Sequence, residues 1–190
     1  MNVLGVLPFA RFLLEQALQP GDHAVDCTVG NGHDTLFLAN LVGKDGFVYG
    51  FDIQEQAILK ASDRLKDQNL LSRVDLFQTG HEHVRQSIPT QHHSKLKGAI
   101  FNLGYLPGGD KSIVTQPTST LAAVSALLEM MPAGGLIVLV IYHGHEEGKQ
   151  EKTSVLSFVE QIDQRLAHVL KYEFINQANH PPFVVAIEKR

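Results

Sequence analysis

A glycine turn between a predicted strand and a predicted helix constrains this chain more than any other feature. Residues 24–35 read AVDCTVGNGHDT, and Asp52 ends the next apolar segment. An apolar strand that leads into Gly30 and Gly32 lets backbone N–H groups approach a ligand at a helix N-terminus. A carboxylate after the next strand can accept both hydroxyls of a ribose. The pattern therefore predicts a nucleoside-cofactor pocket at one edge of an α/β sheet.

The residues around the turn favour one class of cofactor. The full dinucleotide fingerprint requires a third glycine, and this chain has Thr35 at that position, preceded by Asp34. Asp34 disfavours a pyrophosphate, whereas S-adenosylmethionine has no phosphate and carries an ammonium and a sulfonium. Asp26 and Asp34 thus favour S-adenosylmethionine over NAD. An NAD-binding dehydrogenase, or a turn that only ends a strand, are the alternatives.

Composition indicates an ordinary globular protein. The 190 residues are 44% hydrophobic and 19% charged, which fits one domain over residues 1–190 with a full core. No apolar run reaches the roughly 18 residues that a membrane helix needs, and the only cysteine excludes an internal disulfide. We expect a cytoplasmic protein with no membrane segment. The net charge is −4 and the sequence has no basic arm or tail that would bind nucleic acid. A local patch of lysines could still form.

Predicted strands and helices alternate along most of the chain. The predicted strands cover residues 23–29, 47–53, 74–78, 97–103, 136–142, 168–176 and 183–188. The predicted helices cover residues 9–18, 34–41, 55–67, 82–86, 117–131 and a segment that ends near 166. The last two strands have no helix between them and must be antiparallel neighbours. The order predicts a Rossmann-like α/β fold, a seven-stranded sheet with a parallel core, a C-terminal antiparallel hairpin and helices on both faces.

Polar residues follow the predicted strands at their carboxyl ends, where ligands bind in open parallel sheets. Segment 102–107 (NLGYLP) stands where amino-directed methyltransferases carry an Asn/Asp-Pro-Pro-Tyr/Phe segment and is similar to it. The Asn102 oxygen could accept hydrogen bonds from an amine and so direct the lone pair of the amine nitrogen at a methyl donor. Tyr105 could stack on a base. A simple Gly/Pro turn after a buried strand is the alternative.

Histidine pairs occur at 81 and 83, at 92 and 93, and at 143 and 145. No cysteine pair accompanies them, so we expect no metal site. His143 and His145 follow a predicted strand and are candidates for proton handling or substrate contact, because an imidazole changes charge near neutral pH. His92 and His93 are predicted to lie in a solvated loop.

Four motifs resemble the YtqB/MnmM family of class I S-adenosylmethionine-dependent methyltransferases, a group long labelled rRNA methylases. They are the segments 26–35, 102–111, 142–148 and 176–182, and the resemblance spans almost the whole chain. The resemblance implies methyl transfer to the primary amine of 5-aminomethyl-2-thiouridine at the wobble position of tRNA, which gives 5-methylaminomethyl-2-thiouridine. It also implies a homodimer that faces a tRNA anticodon arm.

The resemblance and the strand-end pattern together suggest roles for individual residues. Asp52 would hold the ribose and Gln54 a neighbouring polar edge of the cofactor. Asn31 and Gly32 would hold the methionine end through backbone groups, and Gly80 and His81 would lie in the adenine region. Asp26, Thr28 and Asp34 are further cofactor-binding candidates. Asn102 and Tyr105 would position the amine, and Asp110, His143 and His145 are the candidates for accepting its proton. A methyltransferase for rRNA, protein or a small-molecule amine, and a module that binds the cofactor without catalysis, are the alternatives.

Overall fold

The computed structural model describes residues 2–106, 108, 113–144 and 146–190, apart from the side chain of Glu146. Asp110 and His145, two of the predicted proton acceptors, lie outside the described residues. The strands are β1 (His23–Asp26), β2 (Phe47–Phe51), β3 (Val74–Phe77), β4 (Leu96–Leu103), β5 (Leu136–Ile141), β6 (Ala167–Tyr172) and β7 (Phe183–Lys189). The α-helices are α1 (Val6–Ala17), α2 (His33–Leu41), α3 (Glu55–Asp67), α4 (Val84–Ser87), α5 (Pro117–Met130) and α6 (Glu146–Glu160).

These strands form one seven-stranded sheet in the order β3-β2-β1-β4-β5-β7-β6. Strands β1 to β5 are mutually parallel, and β7 lies antiparallel between β5 and β6. The predicted fold class is therefore confirmed. The strand order reverses between β1 and β4, and this switch point is where a ligand crevice is expected in an open sheet.

Helices cover both faces of the sheet because alternate strand residues point to opposite sides. On one face, Val25 and Phe101 pack with residues of α4, α5 and α6. On the other, Ala24 and Ile100 pack with residues of α1, α2 and α3. Strand β5 is buried along its whole length, as expected for a central strand covered on both sides.

Several boundaries differ from the sequence prediction. Strand β1 ends at Asp26 rather than at residue 29, because the Thr28 side chain accepts the Asn102 N–H and so interrupts the backbone ladder. Helix α1 begins at Val6 and includes Pro8, which its first turn tolerates. Helix α6 ends at Glu160 rather than near residue 166, and strand β6 ends at Tyr172 rather than at residue 176.

The prediction of a solvated loop for His92 and His93 is wrong. Both side chains are half-buried in a 3-10 turn, Thr90–Lys95. The Nδ1 atom of His92 lies 2.5 Å from the Tyr49 hydroxyl oxygen, and Nε2 of His93 lies 3.1 Å from the Ile88 carbonyl oxygen. Contacts with the sheet and with the preceding turn thus hold this segment in place.

None of the helices that the structure describes is long and apolar enough to cross a membrane.

Candidate functional site

Two cavities meet at the carboxyl ends of β1 and β4. The first has a volume of about 380 Å³ and extends over the ends of β2 and β3. The second, of about 580 Å³, extends toward α1 and the end of β5. Both cavities are lined by Thr28, Gly30, Asn102, Gly104 and Tyr105. A ligand in one cavity would therefore lie beside a ligand in the other.

The glycine turn needs glycine for two different reasons. Gly30 adopts φ +52°, and its N–H donates to Oδ2 of Asp52 at 2.8 Å. Gly32 adopts φ +76°, and a Cβ there would lie 2.8 Å from the Cα of Ala61 in α3. Gly30 thus lets the turn close over Asp52, and Gly32 lets α3 pack against the start of α2.

Asp26 lies behind the turn rather than in either cavity. Its side chain is fully buried, with Oδ2 accepting the Thr35 hydroxyl at 2.6 Å and Oδ1 accepting the Thr28 N–H at 3.1 Å. Burial, with the nearby charge of Asp34 as a second cause, raises the pKa of Asp26 to about 7. Asp26 is therefore positioned to support the turn.

Asp34, in the first turn of α2, has partners on both of its oxygens. Nε and Nη2 of Arg11 donate to Oδ1 at 3.0 and 2.7 Å, and Nδ2 of Asn102 donates to Oδ2 at 2.9 Å. The Arg11 guanidinium also lies over the Phe37 ring, 5.2 Å from its centroid. A cation from α1 thus neutralises Asp34 at the edge of the second cavity.

The first cavity is lined by Asp52, Gln54, Gly80 and His81. Oδ1 of Asp52 accepts the Gln54 N–H at 2.9 Å, and each carboxylate oxygen keeps lone pairs for a further donor. Burial lowers the pKa of His81, whose Nδ1 lies 2.8 Å from the carbonyl oxygen of Cys27. Because that oxygen only accepts, Nδ1 carries the proton and Nε2 is an acceptor.

A buried glutamate fixes the loop that follows β4. The N–H of Gly104 donates to Oγ1 of Thr115 at 3.0 Å, and that hydroxyl donates to Oε2 of Glu151 at 2.5 Å. The Thr120 hydroxyl donates to Oε1 of Glu151 at 2.7 Å. The Glu151 side chain is only 2% exposed, so α6 ties both ends of the loop to α5. This loop carries Tyr105, which is 41% exposed at the junction of the cavities.

The far wall of the second cavity includes Tyr142, His143 and His180. His143 packs edge-on against Phe183 and His180, and its Nδ1 is buried without a hydrogen-bond partner among the described residues. Burial, together with the charge of Lys152, lowers the pKa of His143, so its imidazole is neutral at pH 7. Burial also raises the pKa of Tyr142.

The predicted site residues divide between the two cavities. Asp52, Gln54, Gly80 and His81 line the first, whereas Asn31, Asp34 and His143 line the second. Thr28, Asn102 and Tyr105 line both, and Asp26 and Gly32 line neither. Sequence reasoning missed Arg11, Thr115 and Glu151. Nothing in the local sequence identifies them, because their partners are distant in the chain.

The histidines do not form a metal centre within the described part of the chain. No group of three or more His, Cys, Asp or Glu side chains there is arranged to hold a metal ion.

Comparisons with known proteins identify the family. Residues 48–188 match the family described as "Putative rRNA methylase". The chain is 35% identical over 189 residues, 95% of its length, to the tRNA (mnm(5)s(2)U34)-methyltransferase of Arabidopsis thaliana chloroplasts, and covers 68% of that protein. A crystal structure with the same family description, from Clostridium thermocellum, covers 100% of both chains with 43% identity and a TM-score of 0.96.

A second crystal structure bears on the cofactor. A "putative methyltransferase" from Streptococcus mutans, solved in complex with SAH, is 38% identical over 99% of both chains and superimposes with a TM-score of 0.89. SAH is what S-adenosylmethionine becomes once its methyl group has been transferred. The chain belongs to this methylase family and is an S-adenosylmethionine-dependent methyltransferase.

Proposed function

We propose that this enzyme methylates the primary amine of 5-aminomethyl-2-thiouridine at the wobble position of tRNA, giving 5-methylaminomethyl-2-thiouridine. The observation that carries the proposal is the Asn102 amide at the junction of the two cavities. An amide oxygen there can accept an amine hydrogen beside a bound methyl donor. The tRNA-modifying Arabidopsis relative, similar over 95% of the chain, supports the choice of acceptor.

The first cavity and the glycine turn fit the methyl donor. Asp52 would accept the ribose hydroxyls, Gln54 would contact a neighbouring polar edge, and Gly80 and His81 would lie beside the adenine. The neutral His81 offers no positive charge to the sulfonium. The methionine end would lie along Thr28 and Asn31, where Gly30 lets the backbone come close.

The second cavity fits the acceptor nucleoside. Its exposed aromatic rings, Tyr105 and Tyr142, offer surfaces on which a base can stack. S-adenosylmethionine supplies an electrophilic methyl group, so the amine must enter the reaction as a neutral nucleophile. The neutral His143 imidazole is the candidate within the described residues for taking the amine's proton.

We also propose an oligomeric state and a cellular location for the enzyme. A chain of 190 residues with a net charge of −4 provides little basic surface. We therefore propose that the protein acts as a homodimer, whose larger surface can bind the anticodon arm of a tRNA. A tRNA substrate is consistent with a cytoplasmic location.

Nucleoside analysis of a strain that lacks the gene tests the proposal. Total tRNA is digested and its modified uridines are quantified by mass spectrometry. We expect 5-methylaminomethyl-2-thiouridine to disappear and its unmethylated precursor to accumulate, with recovery when the gene is restored. Unchanged tRNA together with a lost methyl group in rRNA would instead assign the enzyme to ribosomal RNA.

A further inference from the structure

Asp34 and Arg11 form an ion pair beside the proposed catalytic amide. We propose that this pair positions Asn102: Asp34 fixes which edge of the amide faces the acceptor, and Arg11 cancels the charge of Asp34. The inference rests on the proposed function and deepens it. It also replaces the role that the sequence suggested for Asp34, a contact with the cationic cofactor.

The orientation follows from hydrogen-bond chemistry. A carboxylate held by a guanidinium is ionised and only accepts hydrogen bonds, so the amide atom that faces Asp34 must be the donor Nδ2. The acceptor Oδ1 of Asn102 is then turned the other way. None of the described residues donates to that oxygen, and Asn102 lines both cavities. Asp34 thus leaves a hydrogen-bond acceptor available for an amine.

The local structure holds Asp34 firmly in this role. It stands in the first turn of α2, where the helix dipole favours an acidic side chain, and only 13% of its side chain is exposed. The backbone of Asn102 is fixed separately by its N–H bond to the Thr28 hydroxyl at 2.7 Å. With the backbone fixed, the remaining freedom of Asn102 is in its side chain, and Asp34 restricts it.

Arg11 neutralises the charge of Asp34, which matters because the proposed methyl acceptor is an amine. An unpaired carboxylate near the amine would favour the ammonium form, which has no lone pair for methyl transfer. The other titratable groups near Asp34 are the buried Asp26, the Tyr142 phenol and the cavity residues His33 and His143. Of the residues described around Asp34, Arg11 is the one that forms an ion pair with it.

The test separates cofactor binding from turnover. The variants are D34A, the isosteric D34N, and R11M, with D63A as a control that removes an exposed carboxylate paired with Lys66. Binding of S-adenosylmethionine is measured by calorimetry. Turnover is measured at saturating cofactor on tRNA from a strain that lacks the gene.

For D34A we expect kcat to fall by about 10- to 100-fold because the amide loses its fixed orientation, while the Kd for S-adenosylmethionine changes less than about twofold. D34N leaves one acceptor oxygen for the two donor side chains, Arg11 and Asn102, so its kcat should fall less than that of D34A. R11M should shift the pH-rate profile to higher pH, with turnover recovering as the amine deprotonates. D63A should match the wild type.

A rise of about tenfold or more in the Kd for S-adenosylmethionine in D34A, or a kcat within about threefold of wild type, would overturn the inference. So would an unshifted pH profile in R11M. A wild-type enzyme that transfers no methyl group to this tRNA would overturn the proposed function itself. That failure is visible before any variant is compared.

Discussion

The two halves of the site differ in how their polar groups are satisfied. In the donor half, residues 26–35 with Asp52, hydrogen bonds hold the turn in place: Thr35 donates to Asp26, Gly30 donates to Asp52, and Asp34 accepts from Arg11 and Asn102. The acceptor half, the ends of β4 and β5, exposes the side chains of Tyr105 and Tyr142. A preformed half suits a small cofactor of constant shape, whereas exposed aromatic rings suit a nucleoside that arrives on a larger molecule.

Among the variants that separate the two halves, we expect the largest loss of kcat from N102A. Removing the amide should lower kcat by about 100-fold or more, because the amine loses an oriented partner, while cofactor affinity changes less than about twofold. Single-turnover kinetics and calorimetry measure the two quantities. The control is N40A, which removes an exposed amide from α2. An equal loss of cofactor binding in N102A would show that the two halves are not separable.

D52A tests the donor half alone. Loss of the charge-assisted hydrogen bonds should raise the Kd for S-adenosylmethionine by about 10- to 100-fold, while kcat at saturating cofactor stays within about threefold. D67A, which removes an exposed carboxylate at the end of α3, serves as the control. Unchanged affinity in D52A would remove Asp52 from the proposed ribose contact.

E151A tests how far the acceptor half depends on its buried support. Two buried threonine hydroxyls lose their acceptor, so the free energy of unfolding should fall by about 2–4 kcal/mol. The loosened loop should lower kcat by about 3- to 10-fold with little change in cofactor affinity. Urea unfolding and steady-state kinetics measure these effects against E160A, an exposed site on the same helix. A normal kcat in E151A would mean that the loop does not need this support.

D26N should have the smallest effect on catalysis. It tests the buried carboxyl of the donor half through the pH dependence of the free energy of unfolding. The pKa of Asp26 is about 7 in the folded protein against 3.8 normally, so the folded state keeps a proton that the unfolded chain releases. This contribution to stability is full below about pH 4 and is lost as pH rises through 7. The stability of wild type relative to D26N should therefore fall by a few kcal/mol between pH 4 and 8. Urea unfolding at both pH values would show a constant difference if Asp26 were unshifted.

The backbone of the donor half was more predictable from sequence than the packing of the acceptor half, although two of its predicted cofactor residues, Asp26 and Gly32, line neither cavity. Its bonds join residues that the strand-turn-helix pattern brings together, such as Gly30 and Asp52. The sheet order and the C-terminal hairpin followed from the same alternation of elements. The acceptor half depends on pairs that only the packed fold creates: Asn102 meets Asp34 across 68 positions, and Thr115 meets Glu151 across 36. Arg11 gave no local signal, because its partner lies on another helix.

We infer that a preformed cofactor half faces an amine-positioning half, and nucleoside analysis of an in vitro reaction tests this arrangement most directly. The purified enzyme, with S-adenosylmethionine, is incubated with tRNA from a strain that lacks the gene, and the digested tRNA is analysed by mass spectrometry. We predict conversion of 5-aminomethyl-2-thiouridine to its methylated product by the wild type and almost none by N102A. Cofactor binding without any change in that nucleoside would contradict the account.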